Sequence, residues 1–473
     1  MKRNPSKSTR NARRAGTAAQ RKRFLEKVHL HAAGIDIGAE AHWVAVPEDR
    51  DAQPVRKFSS FTRDLERLAD WLHACGIQTV AMESTGVYWI PLFELLEQRG
   101  FEVLLVNARH VKNVPGRKSD VVDCQWLQQL HSFGLLRGSF RPKAEIVALR
   151  SYLRHRDKLV EGASAFILRM HKALTQMNVQ LHHVISDLSG HTGLRIVRAI
   201  VAGQTDPEQL AEYRDPHIRA SKEQIRESLR GQYRAEHLFQ LRQALEFYDF
   251  SQQQIAACDE QIHARLRELE ARCEPPQAPL PPAAKRRRPG AFQAPGFEIR
   301  SPLYVLCKGV DLTELPGIGP QAALTLISEV GLDLERWPTE KHFSAWLTLS
   351  PHTKRSGDKL LSSRTQSSAN RAARTFRIAA MSLSRTDHAL GAFYRRLAVR
   401  IGKAKAITAT ARKLAVLFYQ LLRRQIVYRE HTQADYDQRL RSRVLARLRK
   451  RAHSLGFDLT ERPAEPLSNP GVS

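Results

Sequence analysis

The sequence predicts an α/β N-terminal domain, a long helical middle and a mostly α C-terminal domain. Three observations carry this. Short apolar runs of strand length alternate with helical spacing over residues 28–140. Residues 141–273 turn almost purely helical, and Glu236–Leu269, rich in Gln, Glu, Arg, Leu and Ala, holds neither Gly nor Pro. Seven prolines then crowd into Pro275–Gly296, which marks a linker. At 473 residues the chain is long enough for two or three domains of ~100–200 residues each.

Taken in order, residues 1–27 form a basic arm, expected to be disordered. His29–Ile37, Ala41–Val46 and Val55–Phe61 read as three strands. Leu65, Leu68, Trp71 and Leu72 recur at helical spacing through Arg63–Cys75. Thr79–Met82 and Val103–Val106 are buried-strand runs flanking a helix over Tyr88–Gln98. The order β-β-β-α-β-α-β describes a mixed sheet with helices packed on it. A polar loop, Lys112–Ser119, leads into a helix over Asp120–Phe133. Residues 141–273 suit long helices or an antiparallel coiled coil, a spacer or oligomerisation arm. Residues 274–300 are the proline-rich linker, with the basic run Lys285–Arg288. Residues 301–430 form the second, helical domain, and 431–473 a basic helix and a tail that looks unstructured from Pro463.

Charge narrows the function. The formal net charge is +27, and it is concentrated. Residues 1–27 carry ten basic side chains and one acid, and residues 350–429 carry eighteen basic side chains and two acids. Such concentration marks a polyanion partner, because each phosphate neutralised releases condensed counterions. A solubilising tail and anionic lipid are the blander alternatives, and no amphipathic membrane helix accompanies the charge. No run of ~18 apolar residues is present to cross a membrane. The basic start lacks the apolar core of a signal peptide. Five scattered cysteines without C-x-x-C spacing disfavour a disulfide scaffold or a structural zinc site and suit a reduced, cytosolic protein.

In so basic a chain, acids at strand ends stand out. Asp36 closes the first strand, and Glu83 follows the run Thr79–Met82. Asp120 and Asp123, three apart at a helix start, can project from one face. Taken singly, each is an ordinary turn or cap residue, and Asp120 is a plausible N-cap. Their joint order on this strand pattern is more specific. Carboxylates converging on one locus are tolerable when cations occupy it, and hard oxygen ligands favour Mg²⁺ or Mn²⁺. Two such ions ~4 Å apart clamp a phosphodiester.

Three stretches, Gly34-Ile35-Asp36-Ile37, Met82-Glu83-Ser84-Thr85-Gly86-Val87-Tyr88 and Lys118-Ser119-Asp120-Val121-Val122-Asp123, resemble the DEDD transposases of bacterial insertion sequences, the insertion sequence 110 family. The resemblance implies an RNase H-like domain similar to Holliday-junction resolvases. It makes Asp36, Glu83, Asp120 and Asp123 catalytic metal ligands, for two Mg²⁺ or Mn²⁺ ions.

The second domain opens with Leu315-Pro316-Gly317-Ile318-Gly319-Pro320. A Gly-x-Gly hairpin exposes backbone N–H groups to a phosphate, and Gly317 and Gly319 resemble the hairpin of helix-hairpin-helix modules; an ordinary Pro/Gly turn reads the same way. Phe343–Pro351 and then Lys354-Arg355-Ser356-Gly357-Asp358-Lys359 follow. The family resemblance implies that Ser356 is the nucleophile, with Lys354, Arg355 and Lys359 holding the scissile phosphate. A flexible Ser-Gly turn is the alternative, and Ser362, Ser363, Ser367 and Ser368 compete by proximity. Arg364, Arg371 and Arg374 recur on an expected helix. Lys403, Lys405, Arg412 and Lys413 also fall in stretches that match the family's C-terminal pattern. All are expected to contact backbone phosphates.

The expectation is therefore a cytoplasmic, nucleoid-associated transposase that cuts and rejoins DNA through a serine–phosphodiester intermediate. The resemblance further implies guidance by a non-coding bridge RNA and assembly as dimers and tetramers, with the acids of one subunit meeting the serine of another. The resemblance spans about residues 30–135 and 310–420. Two rivals remain open: a metal-dependent nuclease or junction resolvase in which water attacks, and a non-catalytic nucleic-acid scaffold.

Overall fold

A computed structural model describes residues 26–107, 120–282, 294–425, 428 and 432–460. Nearly all of the basic arm, the loop Lys112–Ser119, the basic run of the linker and the tail from Pro463 lie outside the described residues. The chain divides into two units, Met1–Arg141 and Pro142–Ser473.

The first unit holds β1 (Ala32–Ile37), β2 (Ala41–Ala45), β3 (Val55–Ser59), α1 (Thr62–Ala74), β4 (Thr79–Glu83), α2 (Trp89–Gln98), β5 (Glu102–Val106) and α3 (Asp120–Ser132). The strands form one mixed sheet in the order β3-β2-β1-β4-β5. β1 is antiparallel to β2 and β2 to β3, whereas β1, β4 and β5 run parallel. The first strand starts later than its apolar run suggests. The backbone N–H groups of Val28 and His29 donate instead to Ser132 O. The third stops at Ser59 because Phe61 is the N-cap of α1.

The period-2 alternation of strands sends neighbouring residues to opposite faces. On one face Ala33, Ile35, Ile37, Val80 and Met82 pack against Leu65, Leu68 and Leu72 of α1 and Leu92, Phe93 and Leu96 of α2. On the other, Ala81 and Val106 pack against Leu127 of α3. Gly34 belongs to that second face. A Cβ there would lie 2.3 Å from Gln128 N and 2.5 Å from Cys124 O. The glycine therefore lets α3 lie directly on β1.

The second unit begins with α4 (Ala144–Gln176), α5 (His191–Val201), α6 (Pro207–Ala211), α7 (Lys222–Ser228) and α8 (Ala235–Glu270). Glu145 pairs with Arg272, Arg156 with Asp259, and Phe166 stacks on Phe247, so α4 and α8 form an antiparallel hairpin within one chain. The short helices cover one end of it, where Ile196, Ile200, Leu210 and Ile225 join Met170, Leu174, Leu241 and Leu245 in one core. After the linker, Phe297 stacks on His263 at 4.8 Å, and the chain continues as α9 (Arg300–Leu306), α10 (Pro320–Val330), α11 (Glu340–Trp346), β6 (Lys354–Ser356), β7 (Lys359–Ser362), α12 (Arg371–Ser382), α13 (Ala389–Ile401), α14 (Lys403–Arg424) and α15 (Gln433–Ser454). Aromatics centre this part on α14: Phe418 stacks on Phe343 and meets Phe376 edge-on, and Tyr419 Oη donates to Trp337 O at 2.6 Å. This mostly helical domain also holds the short β6–β7 hairpin.

Candidate active site

Register places the first two acids side by side. Ile35 of β1 pairs with Met82 of β4, and Gly34 with Ala81. One residue further along each parallel strand stand Asp36 and Glu83. Both lie on the face of Gly34 and Ala81, the face that α3 covers, and both are half-buried. The helix runs antiparallel to β1 and β4. His131, near its C-terminal end, bonds Thr79 Oγ1 at 2.9 Å at the start of β4, and Gln128 Nε2 donates to Ala32 O at 3.2 Å. The N-terminal end of the helix, which carries Asp120 and Asp123, is thereby the end nearer the strand ends of Asp36 and Glu83. The Cys124 thiol beside them is pushed up to about 12 by burial first and then by the charge of Asp36, with Asp123 adding to it.

The donor set is all carboxylate, the chemistry of a hard divalent cation rather than zinc. Among the described residues no group of three or more His, Cys, Asp and Glu is close enough to hold an ion; the side chain of Asp120 is outside the described residues. Cys75, Cys124, Cys258 and Cys307 are buried free thiols, with Cys307 raised to about 12 by burial, so none is poised as a nucleophile.

Ser356 lies in the second unit, at the end of β6. It pairs directly with Lys359 of β7, and only Gly357 and Asp358 connect them. Gly357 has φ +55°, the positive value that a two-residue hairpin turn demands of its first position. Cross-strand partners hold their Cβ atoms ~5 Å apart, so Lys359 stands beside the Ser356 hydroxyl. Lys354, Arg355, Ser356 and Lys359 are all exposed. Of the rival serines, Ser362 Oγ accepts from Arg364 N and Ser368 Oγ from Asn370 N, whereas Ser363 and Ser367 are exposed as Ser356 is.

The DEDD transposase model of the IS110 family matches residues 33–179, and the Transposase IS116/IS110/IS902 family model matches residues 311–395. The chain belongs to the IS110 family of DEDD transposases. No curated protein matches it.

The transposase is thus an enzyme acting on DNA. Asp36, Glu83, Asp120 and Asp123 fall within the first matched stretch, and Gly317, Gly319 and Ser356 within the second. Lys403, Lys405, Arg412, Lys413 and the whole of α15 lie beyond both. The two glycines separate in role. Gly317 has φ +81°, and a Cβ on it would lie 2.7 Å from Ala379 O, so its smallness serves packing against α12; Gly319, the N-cap of α10, has open space where a Cβ would be. Arg371 is engaged within the protein by Asp157 and Glu329, whereas Arg374 is exposed.

Sequence reasoning passed over the neighbours of Asp36. Trp43 pairs with Asp36 across β1–β2 and Lys57 pairs with Trp43 across β2–β3, with the ammonium 5.7 Å from the indole centroid. All three share the face of the acids. Only strand register reveals this, since the three are far apart in sequence.

Proposed function

We propose that this transposase is a serine recombinase that moves its own insertion element, cutting and rejoining DNA through a phosphoserine link. The observation that carries the reading is Ser356, exposed at a hairpin tip beside Lys359, its side chain without a hydrogen-bond partner among the described residues, while Ser362 and Ser368 are tied into local turns. In the reaction, Ser356 Oγ gives up its proton and attacks phosphorus. The Oγ–P bond forms as the P–O bond to the leaving strand breaks, and that strand departs as a hydroxyl that takes up a proton. The number of phosphodiesters is conserved, so a free strand-end hydroxyl can reverse the step. Lys354, Arg355 and Lys359 hold the phosphate and offset its developing charge.

We read the first unit as an RNase H-like domain, a reading supported by the mixed sheet and by acids at the ends of β1 and β4. Asp36, Glu83, Asp120 and Asp123 would hold Mg²⁺ or Mn²⁺, which when bound supplies Lewis-acid stabilisation of the phosphodiester. Gly319 at the open N-terminus of α10 supports a helix-hairpin-helix phosphate contact. Guidance by a bridge RNA accords with a basic surface that has few base-reading elements. The exposed Phe239 and Phe250 of α8 support assembly of copies through the α4–α8 hairpin.

The test is a suicide DNA substrate with guide RNA and Mg²⁺. The wild type should trap a protein–DNA band that survives detergent and disappears on proteolysis, and Ser356→Ala should bind the same nucleic acids without forming it. Efficient cleavage by Ser356→Ala, or an adduct on Ser363 or Ser367, overturns the assignment in favour of a water-using nuclease or another serine.

A further inference from the structure

Three helices bring together cations that lie beyond both matched stretches of the transposase. Arg396 of α13 lies 5.8 Å from the Tyr436 ring at the start of α15. Lys413 of α14 lies 4.2 Å over the ring of Phe393. The Lys413 ammonium is held below the ordinary lysine range by burial first, then by the charges of Arg443 on α15 and of Arg396. Among the described residues no carboxylate pairs with any of the three. The cluster is fixed in place. The capping box of Thr432 and Asp435 starts α15, Gln433 N donates to Asp387 O at 2.9 Å, and Arg395 Nη2 donates to Gln433 Oε1 at 2.6 Å.

From that anchored start α15 extends 22 residues with none buried, about 33 Å of helix. It carries seven Arg and Lys against two acids. Arg439, Arg443, Arg447 and Arg451 recur every fourth residue, a cation every ~6 Å along one side. Like charges held together without a counter-carboxylate are relieved by an anion, and a line of them fits a polyphosphate strand.

We propose that Arg396, Lys413 and Arg443, continued by the arginine line of α15, bind the phosphate backbone of double-stranded DNA. The proposal rests on the family's action on DNA and not on the serine chemistry. The duplex is favoured over single strands because α15 has no Phe, Trp or Tyr beyond Tyr436, and single-strand sites rely on aromatic stacking platforms. A membrane surface is disfavoured because Arg441 and Arg451 fall within the stripe of Leu440, Val444, Leu445 and Leu448, where an interfacial helix needs an unbroken apolar face.

The test uses the full chain without divalent metal, so that no cleavage occurs and Ser356 and the acids have no bearing on the outcome. Affinity is measured against salt for a DNA duplex, a DNA single strand, an RNA duplex, and vesicles of phosphatidylcholine and phosphatidylserine. Replacing Arg396, Lys413 and Arg443 together by Gln should weaken duplex DNA binding at least tenfold. It should also reduce the slope of log affinity against log salt by about 3, at ~0.9 per phosphate. Without nucleic acid the same variant should melt at the same temperature or higher, since repulsion is relieved. The charge-retaining pair Lys413→Arg and Arg443→Lys should bind as the wild type does. An unchanged slope overturns the proposal, as does a loss confined to the single strand, the RNA or the vesicles. A variant that melts lower, or a charge-retaining pair that fails to bind, assigns the cluster to structure instead.

Discussion

At Gly34 a methyl group would meet Gln128 N, Cys124 O and Gln128 Cα all within 2.8 Å, and every one of these belongs to the backbone of α3. None can swing aside as a side chain does, so the helix itself must lift. Gly34→Ala is expected to lose about 1–3 kcal/mol of stability, the usual range for overpacking. It should also lose strand cleavage beyond what that destabilisation explains, because Asp120 and Asp123 travel with the helix. Urea unfolding and adduct formation, measured on the same preparation, check this; wild-type cleavage in a destabilised Gly34→Ala would detach the helix from the site. At the other end of α3, burial and the neighbouring His29 lower His131 to about 4, against an ordinary 6.5. The unfolded chain therefore binds a proton between these values that the folded chain refuses. This contribution to stability is complete above pH ~6.5 and falls away as pH drops toward ~4, by up to about 3 kcal/mol. His131→Gln should flatten that acid limb in thermal melts; an unaltered limb would show that other groups dominate it. The motif residues themselves were legible in sequence, since Asp36, Glu83, Asp120 and Asp123 sit where strand and helix ends were expected. The separate roles of Gly317 and Gly319, and the face shared by Trp43, Lys57 and Asp36, depend on packing and register that no local spacing encodes.

Among the elements, length decided what could be read. The α4 and α8 helices were legible because each runs beyond thirty residues, α8 with neither Gly nor Pro and α4 with Gly162 alone, and the sheet because apolar runs alternate with turn residues. The β6–β7 hairpin was not. Its strands span three and four residues, mostly exposed, so no buried face imprints an alternating pattern on them. What fixes the hairpin is Gly357. At φ +55° a residue with a Cβ is strained by roughly 1–2 kcal/mol, less for Asn, which visits this region more readily. Gly357→Ala should therefore slow adduct formation several-fold with DNA affinity unchanged, and Gly357→Asn should retain more of the rate. Single-turnover kinetics separate the two effects. Equal rates for Ala and Asn would mean that the turn does not position Ser356.

For the whole molecule, charge is the property legible without any structure, and it sets the last expectation. Of a net +27, the first 27 residues contribute ten cations and one acid, and residues 1–25 lie outside the described structure. A basic arm of this kind acts through counterion release, which depends on how many phosphates it neutralises and not on where a fold would place them. Deleting residues 1–27 removes up to ten such neutralisations, so the slope of log affinity against log salt should fall by as much as ~9, at ~0.9 for each. The fall will be smaller if the arm reaches fewer phosphates. The acids and Ser356 are untouched by the deletion, so adduct formation should persist at low salt, where the remaining basic surface still binds DNA. It should fail at physiological ionic strength, where screening over ~8 Å weakens what is left. On the expectation that α15 and the arm neutralise different phosphates, deleting the arm from the Gln-substituted α13–α15 variant should lower the slope by the sum of the two separate changes. A slope unchanged by the deletion would make the arm a solubilising tail. A combined change smaller than the sum would mean that arm and helix compete for the same stretch of backbone.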